Sequence, residues 1–367
     1  MLPTNILLAG AALLGAVAGQ ACDCDPTKNS CPPNPALGNR KIDCDLTKGL
    51  CKDLKPLEGT YINKFSDKGA LFSIEKDFQG PTVVSDKYIL FGKADITFRA
   101  APGAGIVTSI VFMSCDHDEI DWELIGNYDY QIQSNFFAKG DETSSDRGGN
   151  HTVSDPVNTE HTYSVEWTRD KIVWSIDGAV VRTQLASETK NGYGFPQSPV
   201  QVKIGIWVGG NAKANHWQLN WSGGRADFSK APFNAYVKRV TVVDYAGGDS
   251  PAHHEVESYS FSDRSGSFDS IKFSPEGSKN IAHANDAEAS STSSAAASTT
   301  GKADKTSSSV QPAASSSSNS TSAAASSGTS QTPAATKPAD KNSGVRSGAV
   351  TGSLVLAAAG AALMAML

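Results

Sequence analysis

The chain has 367 residues and a formal net charge of −6, with 38 acidic against 32 basic side chains. That balance argues against a nucleic-acid partner, which calls for a basic face. No internal apolar run is long enough for a multi-span membrane protein.

Residues 1–19 hold a short apolar run that closes on the small residues Ala18 and Gly19, the pattern of a secretory signal peptide. Six cysteines follow, at Cys22, Cys24, Cys31, Cys44, Cys51 and Cys115. An even count in an exported chain points to disulfides, with fifteen pairings open. Five of the six precede residue 52, so full pairing within the chain joins one of those five to Cys115. The spacing of Cys22, Cys24 and Cys31 lacks the paired gaps of a zinc ribbon, so no metal is expected.

Nearly all the aromatic residues lie before residue 270, and residues 20–270 are expected to form one domain. Its pattern is short strands: 96–99, 128–136, 162–167 and 172–176 alternate apolar with polar side chains. Asp177-Gly178 then opens a hairpin, because glycine accepts the positive φ of such turns. The expected fold class is all-β, a sandwich of two sheets with a concave groove.

Residues 118–123 read Asp118-Glu119-Ile120-Asp121-Trp122-Glu123. In a strand, Glu119, Asp121 and Glu123 share one face, while Ile120, Trp122 and Leu124 share the other. The apolar set takes the core, so three carboxylates stand side by side opposite it. Such crowding costs repulsion, and it also drives carboxyl pKa values apart, separating an acid from a nucleophile. Cleaving a glycosidic bond uses such a pair of carboxyl groups, about 5–5.5 Å apart when configuration is retained. On a straight strand the Cα atoms of Glu119 and Glu123 stand roughly 13 Å apart, so curvature and long side chains must close the gap. His117, beside the motif, reads as a turn residue.

Sugar subsites need flat apolar faces beside hydrogen-bonding groups. In 201–207, Val202, Ile204 and Ile206 take the core, leaving Lys203, Gly205 and Trp207 for the groove. Lys203 and Trp207 are candidate sugar contacts, with Gly205 leaving room for a ring. Residues 217–221, read with two-residue periodicity, turn either Trp217 and Trp221 or Gln218 and Asn220 to the groove. Gln218 is the polar candidate, Trp221 a further one, and Trp217 a plug for the sandwich. Gln133 and Asn135 alternate on a strand expected beside the acidic one. Asn150, Asn220 and Asn319 begin N-glycosylation sequons.

Residues 271–342 are rich in Ser, Thr and Ala, the composition of a disordered, O-glycosylated stalk. Asn342-Ser343-Gly344, a polar spacer and the apolar stretch 354–367 have the layout of a glycosylphosphatidylinositol (GPI) signal. Asn342 is the expected attachment site, 343–367 the propeptide, and Ser347-Gly348-Ala349 a second possible cut.

Glu119-Ile120-Asp121-Trp122-Glu123 resembles the Glu-x-Asp-x-Glu motif of glycoside hydrolase family 16. His161-Thr162-Tyr163, Glu166-Trp167-Thr168 and the segment 172–178 look like that family's central hairpins. Trp207-Val208-Gly209-Gly210 and Ser229-Lys230-Ala231-Pro232-Phe233 are similar to its plant xyloglucan transglycosylase branch. Cys24-Asp25-Pro26 with Asn34-Pro35-Ala36-Leu37-Gly38 resembles the fungal Crh family of GPI-anchored cell-wall chitin–glucan transglycosylases. The resemblance spans about residues 22–250. It implies a β-jelly-roll, with Glu119 as nucleophile, Glu123 as proton donor and base, and Asp121 orienting Glu119. It further implies a chitin donor, acceptors that are β-1,3- or β-1,6-glucan or chitin oligomers, and a GPI lipid at the cell surface. No cofactor is expected. The alternatives are a hydrolase on the same scaffold and a non-catalytic wall-glycan adhesin.

Overall fold

The computed structural model describes residues 24–141, 147–189 and 194–276. Cys22, residues 1–19, Asn319 and Asn342 lie outside the described residues.

Two antiparallel sheets face one another in a jelly-roll sandwich. The seven-stranded sheet runs β11 (Gly149–Thr152), β10 (Gln131–Phe137), β9 (Glu119–Ile125), β8 (Ile106–Ser114), β15 (Val200–Val208), β6 (Thr82–Ser85), β3 (Leu54–Pro56). The eight-stranded sheet runs β14 (Ala179–Leu185), β13 (Lys171–Ile176), β12 (His161–Trp167), β7 (Gly92–Arg99), β16 (Phe233–Asp244), β5 (Gly69–Ile74), β4 (Phe65–Ser66). Its further strand β2 (Lys41–Asp45) pairs with β16. A small third sheet joins β1 (Asn34–Pro35), β17 (Ser258–Phe261) and β18 (Ile271–Ser274).

Alternation decides which face each strand buries. In β7, Ala94, Ile96 and Phe98 point into the sandwich, while Lys93, Asp95, Thr97 and Arg99 keep partial exposure. The predicted hairpin forms at Asp177 (φ 49°) and Gly178 (φ 82°), both left-handed, which matches the twist of β13 and β14. Between the sheets Phe98 stacks on Tyr163 with ring centroids 4.5 Å apart. Two buried tryptophans cross-tie the layers through their only polar atoms. Trp122 Nε1 donates to the Ser164 carbonyl at 3.1 Å, and Trp174 Nε1 donates to the Asp121 carbonyl at 3.1 Å.

Residues 217–221 are not a strand. They belong to a short helix, α1 (His216–Trp221), whose first turn is capped by Asn215 accepting from Gln218 N at 2.9 Å. Helical spacing turns Gln218 and Trp221 inward together and leaves Trp217 52% exposed, so Trp217 plugs nothing. Disulfides join Cys24 to Cys31 and Cys44 to Cys51, and Cys115, just after β8, is disulfide-bonded as well.

Candidate active site

β9 is held on both edges, by β10 and by β8. Residues directly opposite in an antiparallel ladder share a face. Glu119 is level with Met113 and Phe137, Asp121 with Val111 and Asn135, and Glu123 with Ser109 and Gln133. One strand further, Met113 is level with Gln201, Val111 with Lys203, Ser109 with Gly205 and Val107 with Trp207. Register thus gathers Glu119, Asp121, Glu123, Gln133, Asn135, Lys203 and Trp207 onto the face turned away from the sandwich core.

Both faces of β9 are buried. Ile120, Trp122 and Leu124 belong to the main core, and the three carboxylates opposite are 1%, 1% and 5% exposed. Burying charge is costly, so burial favours the protonated form of Asp121 and Glu123. Burial, and then the charge of Glu119, push the Glu123 carboxyl up to about 8. Burial, then Glu119 and Glu123, push Asp121 well above the usual carboxylate range. Asp121 Oδ1 and Glu123 Oε1 have no hydrogen-bond partner among the described residues. Buried polar atoms are seldom left that way, and unpartnered ones mark a place where binding or chemistry is at stake. Burial lowers the pKa of the Lys203 ammonium, 3% exposed, and the charge of Glu119 opposes that shift.

One wall of the groove is aromatic. Trp207, Val107, Val111 and Ile125 form a second apolar cluster, separate from the core, with Trp221 and Tyr128 packed against it. Trp207 lies beneath Trp221, with ring centroids 5.8 Å apart and planes 25° apart. Trp207 is 1% exposed, so Trp221 covers its ring, and Trp221 keeps partial exposure itself. Trp221 Nε1 donates to Gln133 Oε1 at 2.8 Å, which pins α1 across the edge of β10. Gln218 is buried on the same helix face, and its Nε2 has no partner among the described residues. Asn135 is partly occupied locally, its Oδ1 accepting from Phe136 N at 2.9 Å. At Gly205 the room expected for a sugar ring is filled by Thr82, whose hydroxyl stands where an added Cβ would go.

Asn150 is exposed on β11, level with Gln133, and Asn220 is exposed on α1. His117 is indeed in the turn before β9, with φ at 63°. Among the described residues no group of three or more His, Cys, Asp and Glu is arranged to hold a metal ion.

Sequence reasoning missed two parts of the site. The first is β8, whose face toward the groove supplies Met113, Val111 and Ser109. Its near-continuous apolar run was the available signal, since a strand buried on both faces does not alternate. The second is Asp118, which lies in the acidic run but serves as an anchor. It accepts from Lys139 N at 3.0 Å and Nζ at 2.6 Å, and from Gln197 N at 2.7 Å and Ser198 N at 3.0 Å. These bonds fix where β9 begins.

The profile of glycosyl hydrolases family 16 matches residues 52–223. Crh-like protein 5 of Aspergillus fumigatus is 40% identical over 259 residues, covering 71% of this chain and 63% of the relative. Crh-like protein 1 of the same fungus is 38% identical over 272 residues, covering 73% of each chain. A solved structure, Crh5 transglycosylase in complex with NAG, is 40% identical with a TM-score of 0.63, covering 68% of this chain and 99% of its own. The chain spans 56–63% of the length of several of the curated relatives it matches.

Proposed function

The chain belongs to glycosyl hydrolases family 16, on its Crh-like branch, and we propose that it is a retaining transglycosylase acting on chitin. The observation that carries this reading is the placing of three buried carboxylates on one face of β9. Glu119, ionised, attacks the anomeric carbon. Glu123, protonated because its pKa is raised to about 8, gives its proton to the departing glycosidic oxygen. A covalent glycosyl–Glu119 ester results, and Glu123 is left as a carboxylate. Glu123 then takes the proton of an acceptor hydroxyl, whose oxygen displaces Glu119. Two inversions give net retention. Asp121, between them, holds the hydrogen-bonding geometry of Glu119. Lys203 is the cation that balances Glu119 when it is ionised.

The structural relative that bears NAG supports an N-acetylglucosamine polymer as donor. β-1,3- or β-1,6-glucan or chitin chain ends serve as acceptors. The enzyme works in the cell wall. The stalk expected from 271 starts later, because Ile271–Ser274 pair with β17 as strand β18. The Ser/Thr/Ala-rich residues after 276 serve as the stalk, and a GPI lipid at Asn342 as the tether, a part of the reading that composition supports.

The test incubates the full chain and its Glu119→Gln variant with chitin oligomers and a fluorescent laminarin-oligomer acceptor, with products resolved by mass. Labelled hybrid products from the wild type, absent with the variant, are expected. Shortened chitin oligomers alone would make the protein a hydrolase. Binding without turnover would make it an adhesin.

A further inference from the structure

The row of side chains that contains Asp121 does not end at Lys203. Lys203 is level with Val84 on β6, and Val84 with Lys55 on β3. One row on the groove face therefore crosses six strands: Asn135, Asp121, Val111, Lys203, Val84, Lys55. Lys55 stands four strand spacings from Asp121, about 19 Å. That is several sugar rings from the carboxylates.

At that far end the face drops into a cavity of about 360 Å³, a size typical of small-molecule sites. Val84, Lys55 and Gln201 line it from the sheet, and Pro32, Pro33 and Asn34 from the amino-terminal segment. The wall is stiff: the Cys24–Cys31 disulfide borders the same cavity and closes the loop just before Pro32. Gln201 is held by its Nε2 donating to the Ser85 carbonyl at 2.7 Å, which leaves its Oε1 to accept. Lys55 is ion-paired with Asp86, and Glu58 is the other charged side chain of the lining. Flat proline rings beside amide and carboxylate oxygens that accept hydrogen bonds suit a hydroxyl-rich ligand rather than an anion. A second cavity of similar size, lined by Tyr61, Phe78 and Leu71, is a different case. Leu71 is on the outward face of β5, in the other sheet, so that cavity does not continue the row.

We propose that the Lys55–Gln201–Pro33 cavity is a distal subsite for the same neutral β-linked polysaccharide that reacts at Glu119 and Glu123. It engages only chains long enough to span the row. This rests on the transglycosylase reading for the identity of the sugar. The cavity would make the enzyme prefer long chains, because the remote rings add binding that a short oligomer lacks.

The experiment measures kcat/KM against oligomer length for the full chain. One arm varies the chitin-oligomer donor at fixed acceptor, and the other varies the laminarin-oligomer acceptor at fixed donor. The variants are Lys55→Ala, at a mostly exposed position that tolerates change, and Val84→Trp, which fills the floor. Tyr61→Ala, in the other cavity, is the control. For the wild type, kcat/KM rises about tenfold or more once the oligomer spans the row, equivalent to about 1.4 kcal/mol. Lys55→Ala cuts that rise at least threefold, Val84→Trp brings it close to one, and Tyr61→Ala keeps it. The arm that flattens identifies the cavity as part of the donor or the acceptor track. A wild type with no length dependence, or variants that keep the full rise in both arms, would overturn the proposal. Titration calorimetry of the same oligomers into Glu119→Gln repeats the length comparison without turnover. It therefore separates loss of this subsite from failure of the transglycosylase reading.

Discussion

The two faces of β9 are built from one heptapeptide and are equally buried, yet they answer to different demands. On the inner face, Ile120, Trp122 and Leu124 fill the sandwich, and the single polar atom, Trp122 Nε1, is satisfied by Ser164. On the outer face, Glu119, Asp121 and Glu123 repel one another, and two of their oxygens have no partner among the described residues. One face stabilises the fold; the other is held in place at a cost in stability, as expected where binding or chemistry is at stake. The opposite sheet holds the strand that carries both faces, since Trp174 Nε1 on β13 donates to the Asp121 carbonyl.

The sharpest way to break this contrast is to change one residue on each face. Glu119→Gln is expected to lower transfer about 10⁴-fold or more, as loss of a nucleophile does, with unfolding in denaturant unchanged or shifted toward higher stability. Trp122→Ala is expected to do the reverse in kind. Loss of a buried tryptophan costs about 3–5 kcal/mol, read as a lower denaturant midpoint. A Glu119→Gln protein that unfolds as easily as Trp122→Ala would show that both faces serve stability.

The pH dependence sharpens the contrast further. Glu123 must be protonated to act as an acid, so the rate is expected to fall as pH rises through about 8. Donors with an activated leaving group need no proton, and that alkaline fall should vanish for them. Stability follows the same proton. The folded carboxyl binds it up to about pH 8 and the unfolded one only up to its ordinary 4.5, so stability is fullest below 4.5 and declines as pH rises toward 8. Glu123→Gln removes that decline. Its Tm, matched to wild type near pH 4, is expected to exceed it above pH 8, by about 2–4 °C for each kcal/mol relieved in a domain of this size. Melting curves across that range decide it.

The smallest expected effect concerns the aromatic wall. Trp221→Phe keeps the ring over Trp207 and loses the bond to Gln133, worth about 1 kcal/mol. KM for oligomers should rise several-fold with kcat little changed. An equal fall in kcat would place Trp221 among the groups that act only in the transition state.

Much of this was legible beforehand because strands have a fixed period of two. Given Trp122 inside, Glu119, Asp121 and Glu123 had to be outside, and Val202, Ile204 and Ile206 likewise assigned Lys203 and Trp207. The same rule failed at 217–221. There the Asn215 cap starts a helix, and three-residue spacing brings Gln218 and Trp221 together. It was also silent on β8, where both faces are buried and no alternation exists.

Sequence by itself determined the faces of 118–124 and 201–207, the hairpin at Asp177-Gly178 and the acidic triad, because each depends on neighbours a few residues apart. Only the tertiary structure decided how strands distant in the chain pair, as β8 does with β15 and β3 with β6. The row from Asn135 to Lys55 draws on residues 55 to 203, and no local period encodes their pairing. It also decided how deeply the carboxylates are buried, and hence how high the Glu123 pKa is raised, since desolvation is set by everything packed around a group and not by its own sequence.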